Sequence, residues 1–229
     1  MPGRLARRAF LGAAAVAAAG ACTTTRSVGG SSLGPTSPLA SPDPSVTTGM
    51  TLAEVVRARR SVRVFTAEPV DDDAVASLLF AAQGETAAWG GRTAPSAGGL
   101  YPLEVYAAMH TGLERYVPGA HAVEVASGDR RPAIAAATGG QDAAVLAPVL
   151  FVISGVVSRT AAKYGDRAER YVQLEAGHAC QNLLLEATAL GLGAVPIGAF
   201  DDDDLRAALG VGSQEQPLYV IPCGHPGGE

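Results

Sequence analysis

The stretches that decide the fold are Arg59-Arg60-Ser61-Val62-Arg63, Pro95-Ser96-Ala97-Gly98-Gly99-Leu100-Tyr101-Pro102 and Pro196-Ile197-Gly198-Ala199-Phe200. The first carries three guanidinium groups, and the other two are loops of small residues that let a backbone approach a ligand closely. Cations and small-residue loops together suit a planar cofactor that carries a phosphate. We interpret the pattern as a site for flavin mononucleotide (FMN), whose ring performs redox chemistry that no side chain can perform. The sequence therefore favours an oxidoreductase.

Residues 1–22 resemble an export signal and are set aside from the fold. Arg4, Arg7 and Arg8 precede an apolar run over 9–21. The run is too short for a membrane-spanning helix, which needs roughly 20 residues. Arg7-Arg8-Ala9-Phe10-Leu11-Gly12 is similar to the core of a twin-arginine signal, a route that exports folded proteins after their cofactor is bound. An ordinary secretory signal is the alternative.

Two features of the N-terminal region concern anchoring. Ala19-Gly20-Ala21-Cys22 resembles a lipoprotein cleavage site, although Ala stands where Leu is usual. We therefore expect a periplasmic or otherwise extracytoplasmic protein, either free or held to the membrane by a lipid at Cys22. Residues 23–49 are rich in Ser, Thr, Pro and Gly, so they cannot bury enough apolar surface to offset their chain entropy. We expect this stretch to be a disordered tether.

Residues 50–229 have the length of one domain with a sizeable core. The chain carries 17 Lys and Arg against 22 Asp and Glu, a net charge of −5, which argues against nucleic acid as a partner. Beyond the leader the only cysteines are Cys180 and Cys223, whose spacing does not predict a zinc site. A disulfide between them after export is the less favoured interpretation. No metal site is predicted.

Caps and apolar periodicity predict several elements. Thr51-Leu52-Ala53-Glu54 is typical of a capping box and predicts a helix that delivers Arg59 and Arg60 at its end. Asp71-Asp72-Asp73 begins a second helix that ends near Gly84. Further predictions are strands over 103–109, 149–157 and 218–223, a central helix over 167–190, an extended piece over 194–200, and a helix beginning in the acidic run 201–204.

The predicted apolar face of the central helix consists of Tyr171, Leu174, Ala179, Leu183 and Ala187. We interpret the acidic run 201–204 as a solvated first turn of a helix rather than a metal site, because no His or second carboxylate cluster is near it in sequence. Helices and strands alternate without a regular βαβ order or a strand-linked GxGxxG motif. A Rossmann domain is therefore disfavoured.

Six motifs, in order, resemble those of the FMN-dependent nitroreductase-like flavoproteins, and within them the SagB-type dehydrogenases (thiazoline oxidases). The resemblance covers nearly all of residues 51–224. Its motifs are Arg-Arg-Ser-Val-Arg at 59–63, Ala-Pro-Ser-Ala-Gly-Gly-Leu-Tyr-Pro at 94–102, Lys-Tyr-Gly-Asp-Arg-Ala-Glu-Arg-Tyr at 163–171, Glu-Ala-Gly-His-Ala-Cys-Gln-Asn at 175–182, Gly-Ala-Val-Pro-Ile-Gly-Ala-Phe at 193–200 and Pro-Leu-Tyr-Val-Ile-Pro-Cys-Gly at 217–224. It implies an α+β fold with a mixed sheet surrounded by helices, and a homodimer with FMN at the subunit interface.

The resemblance also implies roles for the cationic stretch. Arg59 and Ser61 match positions that hold the flavin phosphate and ribityl chain, with Arg60 beside them. A guanidinium suits this role because its planar fork donates charge-assisted hydrogen bonds to phosphate oxygens. Arg63 matches a cation near the pyrimidine edge of the ring, where negative charge accumulates on reduction.

The two small-residue loops match the other contacts of the flavin. Gly198 and Ala199 would direct backbone N–H groups toward the N5 side of the ring. Pro95, Ser96 and Ala97 would contact the same flavin from the partner subunit. One departure from the family is that the chain ends without the late Lys or Arg that completes the phosphate site in many nitroreductases.

Lys163 and Tyr164 resemble a Lys-Tyr pair implicated in proton removal by the azoline-oxidising members, and are our candidate catalytic residues. The alternative is a solvent-facing Lys beside a core Tyr at a helix start. Azoline oxidases of peptide-modifying complexes also carry extra sequence for partner proteins, which is not evident here.

The expected function is an FMN-dependent oxidoreductase that transfers hydride in a ping-pong cycle on a small organic substrate, with a nicotinamide or another electron donor. An azoline (thiazoline or oxazoline) dehydrogenase of SagB type is the alternative within this class. An exported flavin- or ligand-binding protein without turnover is the alternative from another class.

Overall fold

Seven strands form one sheet in the order β1-β4-β3-β2-β5-β7-β6. A computed structural model describes residues 33–40 and 49–228, so the predicted export signal and Cys22 lie outside the described residues. The strands are β1 (Thr36–Pro38), β2 (Leu103–Met109), β3 (Gly112–Val117), β4 (Ala122–Ser127), β5 (Val149–Gly155), β6 (Gly193–Ala194) and β7 (Gln216–Gly224). The helices are α1 (Leu52–Ala58), α2 (Asp72–Gln83), α3 (Arg131–Ala137), α4 (Asp142–Leu146), α5 (Val157–Tyr164), α6 (Ala168–Ala189) and α7 (Asp202–Leu209).

Helices cover both faces of the sheet. Strands β2 and β5 are buried along their whole length, which explains their nearly continuous apolar sequence. Alternate residues such as Val105 and Ile153 face a core completed by α2 and α6. Tyr106 and Val152 face a second core completed by α3, α4 and α7. The sheet is thus the middle layer of an α+β fold, and the long helix α6 lies along one of its faces.

The α+β class is confirmed, and the strand pairings refine it. Every pairing between named strands of the described chain is antiparallel. The parallel part of the expected mixed sheet is a single bridge between Ser61 and Ala194. This bridge lies at the edge of the sheet beside β6.

The helix caps predicted from sequence are present. The Thr51 hydroxyl accepts a hydrogen bond from the Glu54 N–H at 3.4 Å, and the Thr51 N–H donates to the Glu54 carboxylate at 2.7 Å. The Asp201 carboxylate accepts from the Asp204 N–H at 2.9 Å. The acidic run therefore starts α7, as its position before an apolar helix predicted.

Three expectations about β5, α5 and α6 differ from the structure. The strand expected over 149–157 ends at Gly155, and Val157 begins α5, so Lys163 and Tyr164 stand at the end of a helix and not at its start. Leu174, predicted to be in the core, is 51% exposed. The buried face of α6 instead contains Val172 and Ala176. Leu174 and Val172 are both apolar, and α6 contains many small residues. The sequence therefore did not determine which side of the helix faces the core.

Strand β1 lies within the stretch whose composition predicts no ordered element. Its pairing with β4 depends on main-chain hydrogen bonds, which composition does not reveal. The Leu39 N–H donates to the His121 carbonyl at 3.0 Å, and a His121 ring nitrogen lies 2.6 Å from the Ala40 carbonyl oxygen. Leu39 also packs against the core beneath α2.

Both described cysteines are free thiols. Cys180 on α6 and Cys223 on β7 are buried, and burial raises the pKa of each thiol to about 12. No helix of the described residues has both the length and the apolar character to cross a membrane.

We predict opposite effects on stability for two glycine-to-alanine changes. A Cβ at Gly193 would lie 2.6 Å from the Cβ of Val62, so Gly193→Ala forces residues 61–63 away from β6. We expect a loss of about 1–3 kcal/mol in the free energy of unfolding. A Cβ at Gly177, inside α6, would meet nothing within 4 Å, and Gly177→Ala should stabilise the protein by about 0.5–1 kcal/mol. Urea denaturation measures both; equal stability of the two variants would contradict the described packing.

Candidate functional site

Residues 59–63 leave α1 and run beside β6. Arg59 is the residue at the C-terminal cap of α1, and the Val62 N–H donates to the Ala194 carbonyl at 3.1 Å. This hydrogen bond, together with the bridge at Ser61, places the cationic stretch next to the strand that leads to Gly198. Two of the three stretches singled out in the sequence are therefore neighbours in space.

The three arginines of this stretch differ in what they contact. The Arg60 guanidinium donates to the carbonyls of Arg57 and Arg59 at 2.7 and 2.8 Å, which satisfies the carboxyl end of α1. Arg63 is exposed and Arg59 is half-buried. Within residues 33–40 and 49–228, none of the three forms an ion pair with a carboxylate. Arg59 and Arg63 are thus positive charges available to an anionic ligand.

Gly198 and Ala199 lie on an extended segment held by β7. The Ile197 N–H donates to the Val220 carbonyl at 2.8 Å, and the Val220 N–H donates back at 3.0 Å. In the described part of the chain, the N–H groups of Gly198 and Ala199 have no acceptor. Both residues are exposed, and a Cβ added at Gly198 would meet nothing within 4 Å. We call Arg59, Ser61, Arg63, Gly198 and Ala199 the Arg–Gly cluster.

A cleft of about 400 Å³ opens beside Gly198. Its walls come from α6, through Gln173 and Ala176, and from the start of β7. Its volume is within the range of small-molecule sites. A larger cavity, about 540 Å³, lies around Arg131 and Pro148 and contains none of the residues that the sequence singled out.

The 95–101 loop is a tight turn. Residues Ala97–Gly99 form a 3-10 turn in which Gly98 and Gly99 have φ of 67° and 65°, a region that glycine occupies without strain. Tyr101 has φ of 45°, which is unusual for a residue with a side chain. The Tyr101 N–H donates to the Ser96 hydroxyl at 2.9 Å, and this bond closes the loop.

Lys163 and Tyr164 lie against this loop. A Cβ built on Gly98 would come within 2.8 Å of both the Lys163 Nζ and the Tyr164 hydroxyl, so the ends of these two side chains lie directly over the loop at Gly98. Lys163 is exposed and Tyr164 is half-buried, with its ring packed edge-on against Tyr171 at 5.0 Å. We call Pro95, Ser96, Ala97, Lys163 and Tyr164 the loop cluster.

The predicted site residues therefore form two groups within one chain. In the described residues no hydrogen bond or ion pair joins the Arg–Gly cluster to the loop cluster. Arg60 stands apart from both, because its side chain is engaged by the end of α1.

Sequence reasoning missed a buried polar group behind the loop. Glu175 on α6 is 2% exposed, and burial raises the pKa of its carboxyl to about 7, although the Ser96 hydroxyl and the charge of Arg92 act in the opposite direction. Arg92 stacks over the Tyr101 ring at 4.6 Å. Glu175 could have been found from its spacing, since it is three residues after Val172 and four before Ala179 on the buried face of α6.

Comparison with known proteins agrees with this architecture. A family model described as the nitroreductase family matches residues 56–225. A protein of Methanocaldococcus jannaschii that is classed as a nitroreductase is 38% identical over 180 residues, covering 76% of this chain and 90% of the relative.

Two crystal structures are similar to this fold. One, from Ralstonia eutropha and also classed as a nitroreductase, has a TM-score of 0.76 at 29% identity and covers 90% of this chain and 97% of its own. The other, a Desulfovibrio desulfuricans protein of the same class in complex with FMN, has a TM-score of 0.60 at 27% identity, with 79% and 89% covered. The family match spans well over half of the sequence. The chain belongs to the nitroreductase family.

Proposed function

We propose that the protein is an FMN-dependent oxidoreductase that acts on a small organic substrate as a homodimer. The observation that carries this proposal is the Arg–Gly cluster: two guanidinium groups without carboxylate partners in the described chain belong to a stretch paired with β6, and β6 leads to two backbone N–H groups without acceptors. The Desulfovibrio desulfuricans relative bound to FMN supports the choice of cofactor.

The residues present fit this cofactor. Arg59 supplies positive charge for a phosphate dianion, Ser61 is an exposed hydroxyl two residues on, and Arg63 is an exposed cation suited to the pyrimidine edge of the ring. Packing within the chain does not require a glycine at 198, since a Cβ there would meet nothing within 4 Å. Close approach of a ligand to the backbone would require one.

Bound FMN would supply hydride transfer at ring nitrogen N5, in a ping-pong cycle in which a nicotinamide or other donor and a second substrate use the same face in turn. The chain's own residues would bind and orient the cofactor. Arg59 and Ser61 would hold the phosphate end, Arg63 would stabilise the negative charge that develops on reduction, and the N–H groups of Gly198 and Ala199 would donate hydrogen bonds to the ring.

A dimeric site is supported by the absence, in the described chain, of any hydrogen bond or ion pair that joins the two clusters. A second copy of the chain would bring its Pro95, Ser96 and Ala97 to the Arg–Gly cluster of the first. Leu52 and Val56, one turn apart on α1, are 71% and 55% exposed, and Leu174 on α6 is 51% exposed. These helices are in contact with each other, so their exposed apolar side chains suit a helix-mediated dimer.

A second candidate within the class is an azoline dehydrogenase of SagB type. It is favoured by the position of the Lys163 amine and the Tyr164 hydroxyl at Gly98, where they border the loop that is assigned to the cofactor. A lysine amine at this position would remove a proton from the heterocycle.

The proposal includes export. The leader over 1–22 would direct the folded protein through the twin-arginine route, with Cys22 as the position of a lipid anchor. The oxidoreductase would then act outside the cytoplasm.

We predict that the purified protein is yellow, and that replacing Arg59 weakens FMN binding. Dithionite should bleach the flavin absorbance, and an electron acceptor should restore it. Arg59→Ala removes a charge-assisted hydrogen bond worth about 1.5–3 kcal/mol, so the Kd for FMN should rise about ten- to a hundredfold. Arg57→Ala, which removes an exposed charge from the last turn of the same helix, is the matched control.

Fluorescence titration of the apoprotein with FMN measures both variants. Equal affinity of the Arg59→Ala and Arg57→Ala proteins would contradict the phosphate role of Arg59. Flavin that binds but that no acceptor reoxidises would instead indicate an exported flavin-binding protein without turnover.

We predict a separate role for Lys163. If the protein is an azoline dehydrogenase, Lys163→Ala should abolish oxidation of a thiazoline substrate while leaving FMN absorbance unchanged. Arg170→Ala, an exposed cation on α6, should retain the activity. Loss of bound flavin in Lys163→Ala would count against a role in proton removal.

A further inference from the structure

Residues 197–201, which include two members of the Arg–Gly cluster, are held from two directions. On one side, Ile197 forms two backbone hydrogen bonds with strand β7. On the other side, the Asp201 N–H donates to the carbonyl of Ala137, the last residue of α3, at 2.8 Å. The exposed residues 198–199 lie between these two attachments. Because a glycine backbone can adopt many conformations, a further contact is needed to keep their peptide groups in one orientation.

Gln141 supplies that contact. It stands at the N-terminal cap of α4, directly after the turn that follows α3. Its Nε2 donates to the Ala199 carbonyl at 3.2 Å and to the Thr138 carbonyl, also at 3.2 Å. Among the described residues, it is the only side chain outside 197–201 that forms a hydrogen bond with this segment.

The two acceptors determine which end of the Gln141 amide faces them. Both are backbone carbonyl oxygens, so only the NH2 end can bind them, and each takes one of its two hydrogens. A carboxylate has no hydrogen to donate. Glutamate at position 141 would therefore keep the size of the side chain and lose both hydrogen bonds.

The turn that carries Gln141 is anchored to the second core. The Thr138 side chain is buried, and its hydroxyl donates to the Ala135 carbonyl at 2.7 Å. The same oxygen accepts from the Gln141 N–H at 3.3 Å. Ala135 belongs to the core between the sheet and α3. Gln141 therefore links a fixed part of the fold to the Ala199 carbonyl.

We propose that Gln141 is a positioning residue that orients the peptide groups at Ala199, and with them the N–H groups that the site offers to the flavin ring. In so far as those N–H groups contact the ring, the inference rests on the proposed function. The contact between Gln141 and the segment 197–201 does not.

The proposal assigns Gln141 to one end of the cofactor. Gln141 acts where the ring would lie, whereas Arg59 supplies charge for the phosphate. FMN and riboflavin, which lacks the phosphate, are therefore matched probes. Loss of a ring contact should weaken both ligands by the same factor, and loss of a phosphate contact should weaken FMN alone.

Fluorescence titration of the apoprotein with FMN and with riboflavin tests the proposal. Gln141→Ala should raise both Kd values about three- to tenfold, the effect of one hydrogen bond. Gln141→Glu should weaken both ligands at least as much at pH 8, because it keeps the size of the side chain but cannot donate. Asp142→Ala, an exposed change one residue along on α4, should bind both ligands as the unaltered protein does. Arg59→Ala should weaken FMN only.

The visible circular dichroism of bound FMN gives a second readout, because it responds to how the ring is held. It should differ from that of the unaltered protein in Gln141→Ala and should be the same in Asp142→Ala. Unchanged riboflavin affinity in Gln141→Ala, or normal affinity for both ligands in Gln141→Glu, would overturn the proposal.

Hydrogen exchange of the apoprotein separates this inference from the proposed function. If the segment opens as one unit, the Asp201 amide should lose about three- to tenfold of its protection in Gln141→Ala. Unchanged protection would overturn the positioning role. A protein that shows this loss but binds neither FMN nor riboflavin would contradict the proposed function while supporting the positioning by Gln141.

Discussion

The hydrogen bond from the Val62 N–H to the Ala194 carbonyl is the contact on which the candidate site depends. It joins the end of α1 to the edge of the sheet, and so brings the backbone of residues 61–62 beside the strand that leads to Gly198. Gly193 permits the approach, because any side chain there would collide with Val62. The sheet supplies rigidity, since β7 holds the same segment through two hydrogen bonds between Ile197 and Val220.

Helix α6 connects this site to the rest of the molecule. Its apolar residues cover one face of the sheet, while Gln173 and Ala176 line the cleft beside Gly198. The same helix contacts the 3-10 turn Ala97–Gly99 of the 95–101 loop. Helix α6 therefore both completes the core and contacts the two groups of candidate residues.

The helix starts could be predicted from the sequence, because each depends on residues that are close together in the chain. The capping box at Thr51 and the acidic start of α7 satisfy backbone N–H groups within a few residues, so their positions follow directly from residue types. The face of α6 that is buried could not be predicted, because its alanines and glycine make several faces of the helix nearly equally apolar. Strand β1 depends on backbone pairing with β4, which leaves no periodic pattern in the sequence.

The central claim is that one flavin contacts the Arg–Gly cluster of one chain and the loop cluster of another. A crystal structure of the protein with FMN tests it most directly. The account predicts the phosphate at Arg59 and Ser61, Arg63 near the pyrimidine edge of the ring, and the ring between Gly198 of one copy and Pro95, Ser96 and Ala97 of its partner. FMN contacting a single chain, or seated in the cavity of about 540 Å³ around Arg131, would contradict it.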